Sequence, residues 1–155
     1  MSEDKGFKLI QKNKKAYFNY EMIEELECGI ALVGTEVKSV REGRCSFSDS
    51  YITAKDGTLT LIGFLIQPYT HGNIFNHQSD RKRQLLAHRM EIKKFTRKVN
   101  EKGLTIVPLE IYLKGNLVKM KIALARGKNT HDKKEAIKER DARIDQRRQL
   151  RDLNS

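Results

Sequence analysis

The side chains able to do chemistry are few. The chain carries four histidines, His71, His77, His88 and His131, and two cysteines, Cys28 and Cys45. His71 and His77 could join a cysteine around zinc, but neither an HExxH nor a CxxC spacing accompanies them. Their simpler use is as loop donors to phosphate or backbone. Glu24, Glu25 and Glu27 could hold a general acid or base, although a solvated strand edge explains such a run more simply. Neither a GxGxxG nor a GxxxxGK[ST] loop occurs, so nucleotide hydrolysis finds no support. The expectation is a protein without metal or cofactor that is not an enzyme. An RNA-cleaving set of His71, His77 and a glutamate is the catalytic alternative.

The charge balance points elsewhere. Lysine and arginine total 31 against 20 acidic residues, a formal net charge of +11 over 155 residues. Such an excess selects a polyanion as partner, either nucleic acid or an anionic membrane surface. The membrane reading weakens because the longest apolar runs, such as residues 59–66, fall far below the roughly 20 residues that span a bilayer. Residues 1–11 carry Glu3, Asp4 and Lys5 ahead of scattered apolar residues and do not read as a signal peptide. A cytoplasmic location is therefore expected, and Cys28 and Cys45 read as buried thiols of a reducing compartment.

The elements that must position these charges follow from spacing. Aromatic and β-branched residues from Ala16 to Gly34 predict two strands. Val37 and Val40, bounded by Gly34 and Gly43, predict a short helix over 35–42. Residues 48–55 and 58–66 flank Asp56-Gly57, the dipeptide of a tight hairpin. From Pro68 to Asp80 the composition is that of a loop, with Ser79 or Asp80 able to cap a helix over 81–100 whose stripe is Leu85, Ile92, Phe95 and Val99. A second hairpin joins 104–113 to 117–125 at Gly115-Asn116, and Pro108 marks an edge or a bulge because proline cannot donate to the ladder. The result is a mainly β body with flanking helices. Small antiparallel barrels of this kind bind oligonucleotides on a face rimmed by basic loops.

Domain organisation follows: a flexible N-terminus over 1–12, a body over 13–127 and a basic tail over 128–155. From Arg126 onward the chain holds ten basic and six acidic residues and no aromatic one. The tail has too little apolar surface to dock as a core helix, yet it is rich in helix formers. Asp132 with Glu135 has capping-box spacing, and Glu139 can pair with Arg143. It is expected to be disordered alone and helical when bound to a negative surface.

Several strings are more specific than their chemistry. Asn13-Lys14-Lys15-Ala16, Gly34-Thr35-Glu36-Val37-Lys38-Ser39, Asp49-Ser50-Tyr51, Pro68-Tyr69, Gly72-Asn73, Asn76-His77 and Arg83-Gln84-Leu85-Leu86 closely resemble, in order and spacing, the small protein B family. Ala123-Leu124-Ala125-Arg126-Gly127-Lys128 followed by Asp132-Lys133-Lys134 does so too, and the likeness runs from about Asn13 to Arg140. The resemblance implies an OB-fold-type antiparallel β-barrel with flanking helices. It also implies a role: binding the tRNA-like domain of transfer-messenger RNA (tmRNA) and delivering it to stalled ribosomes for trans-translation. Further implied partners are the small-subunit decoding centre and messenger channel of the ribosome, and elongation factor Tu and alanyl-tRNA synthetase through the shared RNA.

On that resemblance, Lys14, Lys15, Lys38 and Lys128 would meet phosphates. Asn13, Asn73 and His77 would meet ribose hydroxyls or splayed bases. Arg81, Arg83 and Arg126 complete the expected RNA-binding set. Glu36 would orient a lysine or accept from a base amino group, or else serve as a helix-start carboxylate. In the tail, Asp132, Lys133, Lys134, Lys138, Arg140, Arg143, Arg147 and Arg148 would enter the messenger channel. Lys14 and Lys134 stand where the family commonly has arginine, which keeps the charge and gives up bidentate geometry. A general ribosomal or single-stranded RNA-binding module, indifferent to tmRNA, is the alternative within the same chemistry.

Overall fold

The structure is a computed structural model that describes residues 6–69 and 76–128. The expected Asn73 and tail contacts lie outside the described residues. Among the described residues, nine strands and three helices follow one another: β1 (Phe7–Lys12), α1 (Lys14–Asn19), β2 (Tyr20–Ile30), α2 (Gly34–Arg41), β3 (Cys45–Ser46), β4 (Tyr51–Lys55), β5 (Thr58–Ile62), β6 (Leu65–Ile66), β7 (Arg83–Leu86), α3 (Arg89–Lys102), β8 (Thr105–Lys114) and β9 (Leu117–Gly127). The body is mainly β with a few helices, as expected.

Both hairpins form where their turn dipeptides stand. Asp56 and Gly57 take φ of 53° and 74°, the pair of positive values that a tight type I′ connection requires. At the second turn Gly115 has φ 64°, and β8 and β9 pair from Thr105 opposite Ala125 to Lys114 opposite Leu117. The register of that ladder slips between Pro108 and Glu110, so Pro108 sits at a bulge. The slip changes which face each side chain takes. Ile106 and Ile111 enter the main core, whereas Val107 and Leu109 face a second apolar cluster with Ala123 and Ala125 on the other side.

Strand neighbours run β1-β8-β4-β5-β7-β2-β9, and β8 also pairs with β9, so following the ladder from β8 through β4, β5, β7, β2 and β9 leads back to β8. β3 and β6 form a separate two-stranded piece. The main core gathers Leu59, Leu61, Ile66, Leu85, Ile106, Ile111, Met120 and Ile122 from the strands and Phe64 from the connection between β5 and β6. α3 adds Ile92 and Phe95 to it, each side chain contributing about 1.5–3 kcal/mol through removal from water.

Four expectations are corrected. Residues 7–12 form β1, antiparallel to β8, rather than a flexible extension. Residues 16–34 do not make two strands: Asn13 caps α1, with its side chain accepting from the Ala16 N–H, and a single long strand follows. The helix expected over 81–100 begins only at Arg89, because residues 83–86 form β7 between β5 and β2. Leu85 is buried either way, so its place on the helical stripe was a coincidence of parity. The glutamates of β2 lie on an interior strand between β7 and β9, not on an edge.

Candidate nucleic-acid interface

The expected RNA-binding residues that the structure describes fall into two groups, with no hydrogen bond or ion pair joining them among the described residues.

The first group surrounds α1. The bulge in β8 exposes two carbonyls that Asn13 takes up: its backbone N–H donates to Leu109 at 2.7 Å and its side-chain amide donates to Pro108 at 2.8 Å. With its side-chain oxygen accepting from Ala16 N–H at 3.2 Å, Asn13 has its main polar capacity committed and is buried. It anchors α1 and does not offer itself to a ligand. Ala16 seals the other side of this anchor against Val107, Leu109, Ala123 and Ala125.

That anchoring leaves Lys14 and Lys15 facing water. Lys15 reaches Asp49 at 2.7 Å, but both side chains are highly exposed, at 65% and 86%, so solvent screens the pair. The hydrogen bond to Asp49 raises the Lys15 pKa, and Lys15 lowers that of Asp49 in return. Arg126 lies 3.7 Å from Glu21, again at the surface. Lys128 donates its backbone N–H to Asn19 O at 2.9 Å, which brings the start of the tail beside α1.

Beside these residues lies an open cavity of about 430 Å³, walled in part by Asn19, Tyr20, Ser48, Tyr51 and Thr105. Gly63, at φ 83°, allows the chain to pass so close to the Asp49 and Ser50 backbone that a Cβ there would sit 3.1 Å from Asp49 O. This close approach fixes the loop that forms one wall.

The second group is a buried charge cluster beneath α2. Glu36 and Arg83 have fully buried side chains, and Arg81 is about one third exposed. Glu36 accepts from Arg81 Nη2 and Arg83 Nε, both at 2.6 Å, and from the Val33 N–H at 2.9 Å. Arg83 also donates to Phe64 O at 2.6 Å and Ser79 O at 3.1 Å, while Arg81 donates to Ala31 O at 3.3 Å. Burial by itself would raise the Glu36 pKa; the donors Arg81, Val33 and Arg83 outweigh it, and the net shift is downward. Glu36 and Arg83 are therefore corrected from RNA contacts to internal braces, which no ligand reaches in this conformation. The helix-start reading of Glu36 was closer, because it receives the N–H preceding α2, and it ties that helix to β7.

On the same side, His77 bridges two elements. Its Nε2 lies 2.9 Å from Ile66 O, a pure acceptor, so Nε2 donates there, and its Nδ1 lies 2.8 Å from Thr35 Oγ1. Asn76 closes the loop stem by exchanging side-chain hydrogen bonds with Tyr69 N–H and O at 3.1 and 2.8 Å. The Lys38 ammonium lies 5.3 Å over the Tyr69 ring, exposed and held above this stem.

The residues first considered for chemistry have other occupations. Glu24 lies 3.1 Å from Lys94 and 3.4 Å from Lys98 of α3; Glu27 accepts from Tyr112 and lies 3.4 Å from Lys114. Tyr17 donates to Glu110 at 3.0 Å, and burial with that carboxylate pushes the phenol up to about 12. Cys28 and Cys45 are buried free thiols, as expected, and burial pushes them up to about 12 and about 11. Among the described residues no three His, Cys, Asp or Glu side chains gather as a metal would require, and no helix is long and apolar enough to cross a membrane.

Sequence reasoning did not select Asn19, Tyr20, Asp49 or Tyr51 as site residues. The signal available was the Asp49-Ser50-Tyr51 string, set beside the Asn13-Lys14-Lys15 string only by folding.

The SmpB protein family profile matches residues 10–152. An SsrA-binding protein of Treponema denticola is 47% identical over 144 residues, covering 93% of this chain and 94% of its own. One from Carboxydothermus hydrogenoformans is 49% identical over 135 residues, covering 87% and 91%. A chain from a solved structure described as "tmRNA-SmpB: a journey to the center of the bacterial ribosome" superposes with a TM-score of 0.66 at 44% identity, covering 82% of this chain and 93% of that one. With a family profile over nearly the whole sequence and near-half identity to its members, this chain belongs to the SmpB protein family.

Proposed function

We propose that this protein binds the tRNA-like domain of transfer-messenger RNA and delivers it to stalled ribosomes for trans-translation, acting as an RNA-binding protein and not as an enzyme. The observation that carries the reading is the near-half identity, over more than nine tenths of both chains, to an SsrA-binding protein. The geometry supports it through outward or half-outward cations: Lys14 on the helix that Asn13 caps, Lys38 on the helix that Glu36 ties down, and Arg126 and Lys128 at the end of β9 and just after it. Each phosphate such a cation meets adds affinity and salt dependence without reading sequence.

The ladder that returns to β8 supports an OB-type barrel. Of the expected contact set, Lys14, Lys15, Lys38, Arg126 and Lys128 act on phosphates, with Arg81 and His77 on the α2 side beside Lys38. The tail, through Asp132, Lys133, Lys134, Lys138, Arg140, Arg143, Arg147 and Arg148, enters the vacant messenger channel near the decoding centre. Elongation factor Tu and alanyl-tRNA synthetase meet the protein through the shared RNA, and the work takes place in the cytoplasm.

Crosslinking in cells followed by sequencing of the bound RNA tests the reading. One dominant transfer-messenger species is expected beside ribosomal RNA; a broad scatter of transcripts would replace the reading with a general RNA-binding module.

A further inference from the structure

We infer that the cavity beside α1 is a binding site for a single unstacked nucleobase of the RNA partner, seated on the rings of Tyr20 and Tyr51, with its flanking backbone along Lys14 and Lys128. The inference rests on the RNA-binding reading and assigns a particular piece of RNA to a particular place.

The space is right for such a guest. A cavity of about 430 Å³ lies in the range of small-molecule pockets, large enough for a nucleoside and open on one side to let a polymer enter and leave. Its wall chemistry is that of a base reader. Tyr51 is 47% exposed, and Tyr20 is half-buried, its ring 3.8 Å from where a Cβ added at Gly127 would lie. Aromatic faces accept any base by stacking, which is how single-stranded RNA is commonly held.

The lining also offers polar groups without a protein partner. The side chains of Asn19, Ser48 and Thr105 line the cavity and make no hydrogen bond among the described residues. A carboxamide and hydroxyls match the donor and acceptor edges of a base, whereas a purely apolar ligand would leave them stranded.

The rim selects a nucleic acid over a neutral metabolite. Lys15 with Asp49 forms a solvent-facing pair on the lining that a phosphate and a ribose hydroxyl can replace, and Lys14, next to it in the chain, is exposed and without an ion pair among the described residues. Lys128 leaves the rim through its hydrogen bond to Asn19, so the tail starts where the guest's backbone would run. Asn13 and the bulge of β8 hold this side of the cavity firm, and the close passage of Gly63 under Asp49 and Ser50 holds the other. A preorganised slot of this kind favours a base already out of its stack, since only then is unstacking not charged against binding.

The base can belong to transfer-messenger RNA or to ribosomal RNA of the small subunit, and the test separates these. The full-length protein is bound at saturation to each RNA, the second as isolated small subunits. Base edges are probed with dimethyl sulfate and a carbodiimide, and the backbone with hydroxyl radicals. Tyr51→Ala and Asn19→Ala are compared with the unmodified protein after a circular dichroism melt verifies folding; Tyr51 is exposed enough that its truncation leaves the core intact.

The expected result is one nucleotide, in one of the two RNAs, whose edge is protected by the unmodified protein. In both variants it returns to its free reactivity while the backbone footprint stays, and affinity for that RNA drops about tenfold, the scale of one lost stacking contact. The RNA that holds it identifies the source. If the backbone footprint is present but no base in either RNA depends on Tyr51 and Asn19, the cavity is no base site although the RNA-binding reading stands. If the unmodified protein leaves no footprint on either RNA, both fall together.

Discussion

The two charged regions of this protein put the same residue types to opposite uses. Beneath α2, Glu36, Arg81 and Arg83 spend their charges on one another and on backbone carbonyls, and that cluster sets shape. Around α1, which the uncharged Asn13 anchors, Lys14, Lys15, Arg126 and Lys128 keep their charges at the surface. A buried ion pair contributes little recognition and much geometry, because a ligand cannot reach it and its loss leaves a partner stranded. An exposed lysine contributes little to stability and much to the capture of a polyanion. Basic residues must therefore be sorted by burial before any is assigned to RNA.

The comparison breaks most visibly at Glu36. Glu36→Ala strands two guanidiniums, one of them fully buried, and is expected to cost about 3–5 kcal/mol in urea denaturation. A cost near zero would mean that the cluster does not brace α2. The same residue has a pH signature. Its folded pKa lies below that of the unfolded chain, so its stabilisation is present above about pH 4.3 and is lost as pH falls through the folded value. The urea midpoint should decline through that acid window, and Glu36→Gln should flatten part of the decline.

On the other side, changing Lys14, Lys15, Lys38 and Lys128 together to glutamine should leave the melt unaltered. It should weaken RNA binding at moderate salt and shrink the slope of log affinity against log salt by about 3 units. An unchanged slope would remove these lysines from the interface. Asn13→Ala tests the link between fold and site: losing the cap and the Pro108 contact should cost about 1–2 kcal/mol and speed hydrogen exchange at the start of α1. The smallest effect belongs to Asp49→Asn, which frees Lys15 and should leave the melting temperature within error at any salt concentration.

Much of this was legible beforehand, and unevenly. The two hairpins could be read because Asp56-Gly57 and Gly115-Asn116 satisfy a local backbone demand for positive φ that few other residues meet. Pro108 announced its bulge for an equally local reason, the missing N–H. β7 could not be read: Arg83–Leu86 is followed by a true helix, its leucine fits the helical stripe, and only the open ladder positions of β5 and β2 make it a strand. Likewise the aromatic run at Tyr17 and Phe18 favoured a strand until Asn13 was seen to cap a helix there.

By itself the sequence determined the partner's sign of charge, the turns, the buried thiols and, through its strings of residues, the family. These are properties of composition or of a few adjacent residues, which need no distant neighbour. Only the tertiary structure decided that Glu36 and Arg83 point inward, that Asn13 anchors rather than binds, and that Tyr51 and Tyr20 line one cavity. Each of those outcomes depends on groups at least 30 positions apart, such as Asp49 beside Lys15 or Arg83 beside Glu36. Burial and pairing are set by which strands the ladder brings together, and that is a property of the whole chain.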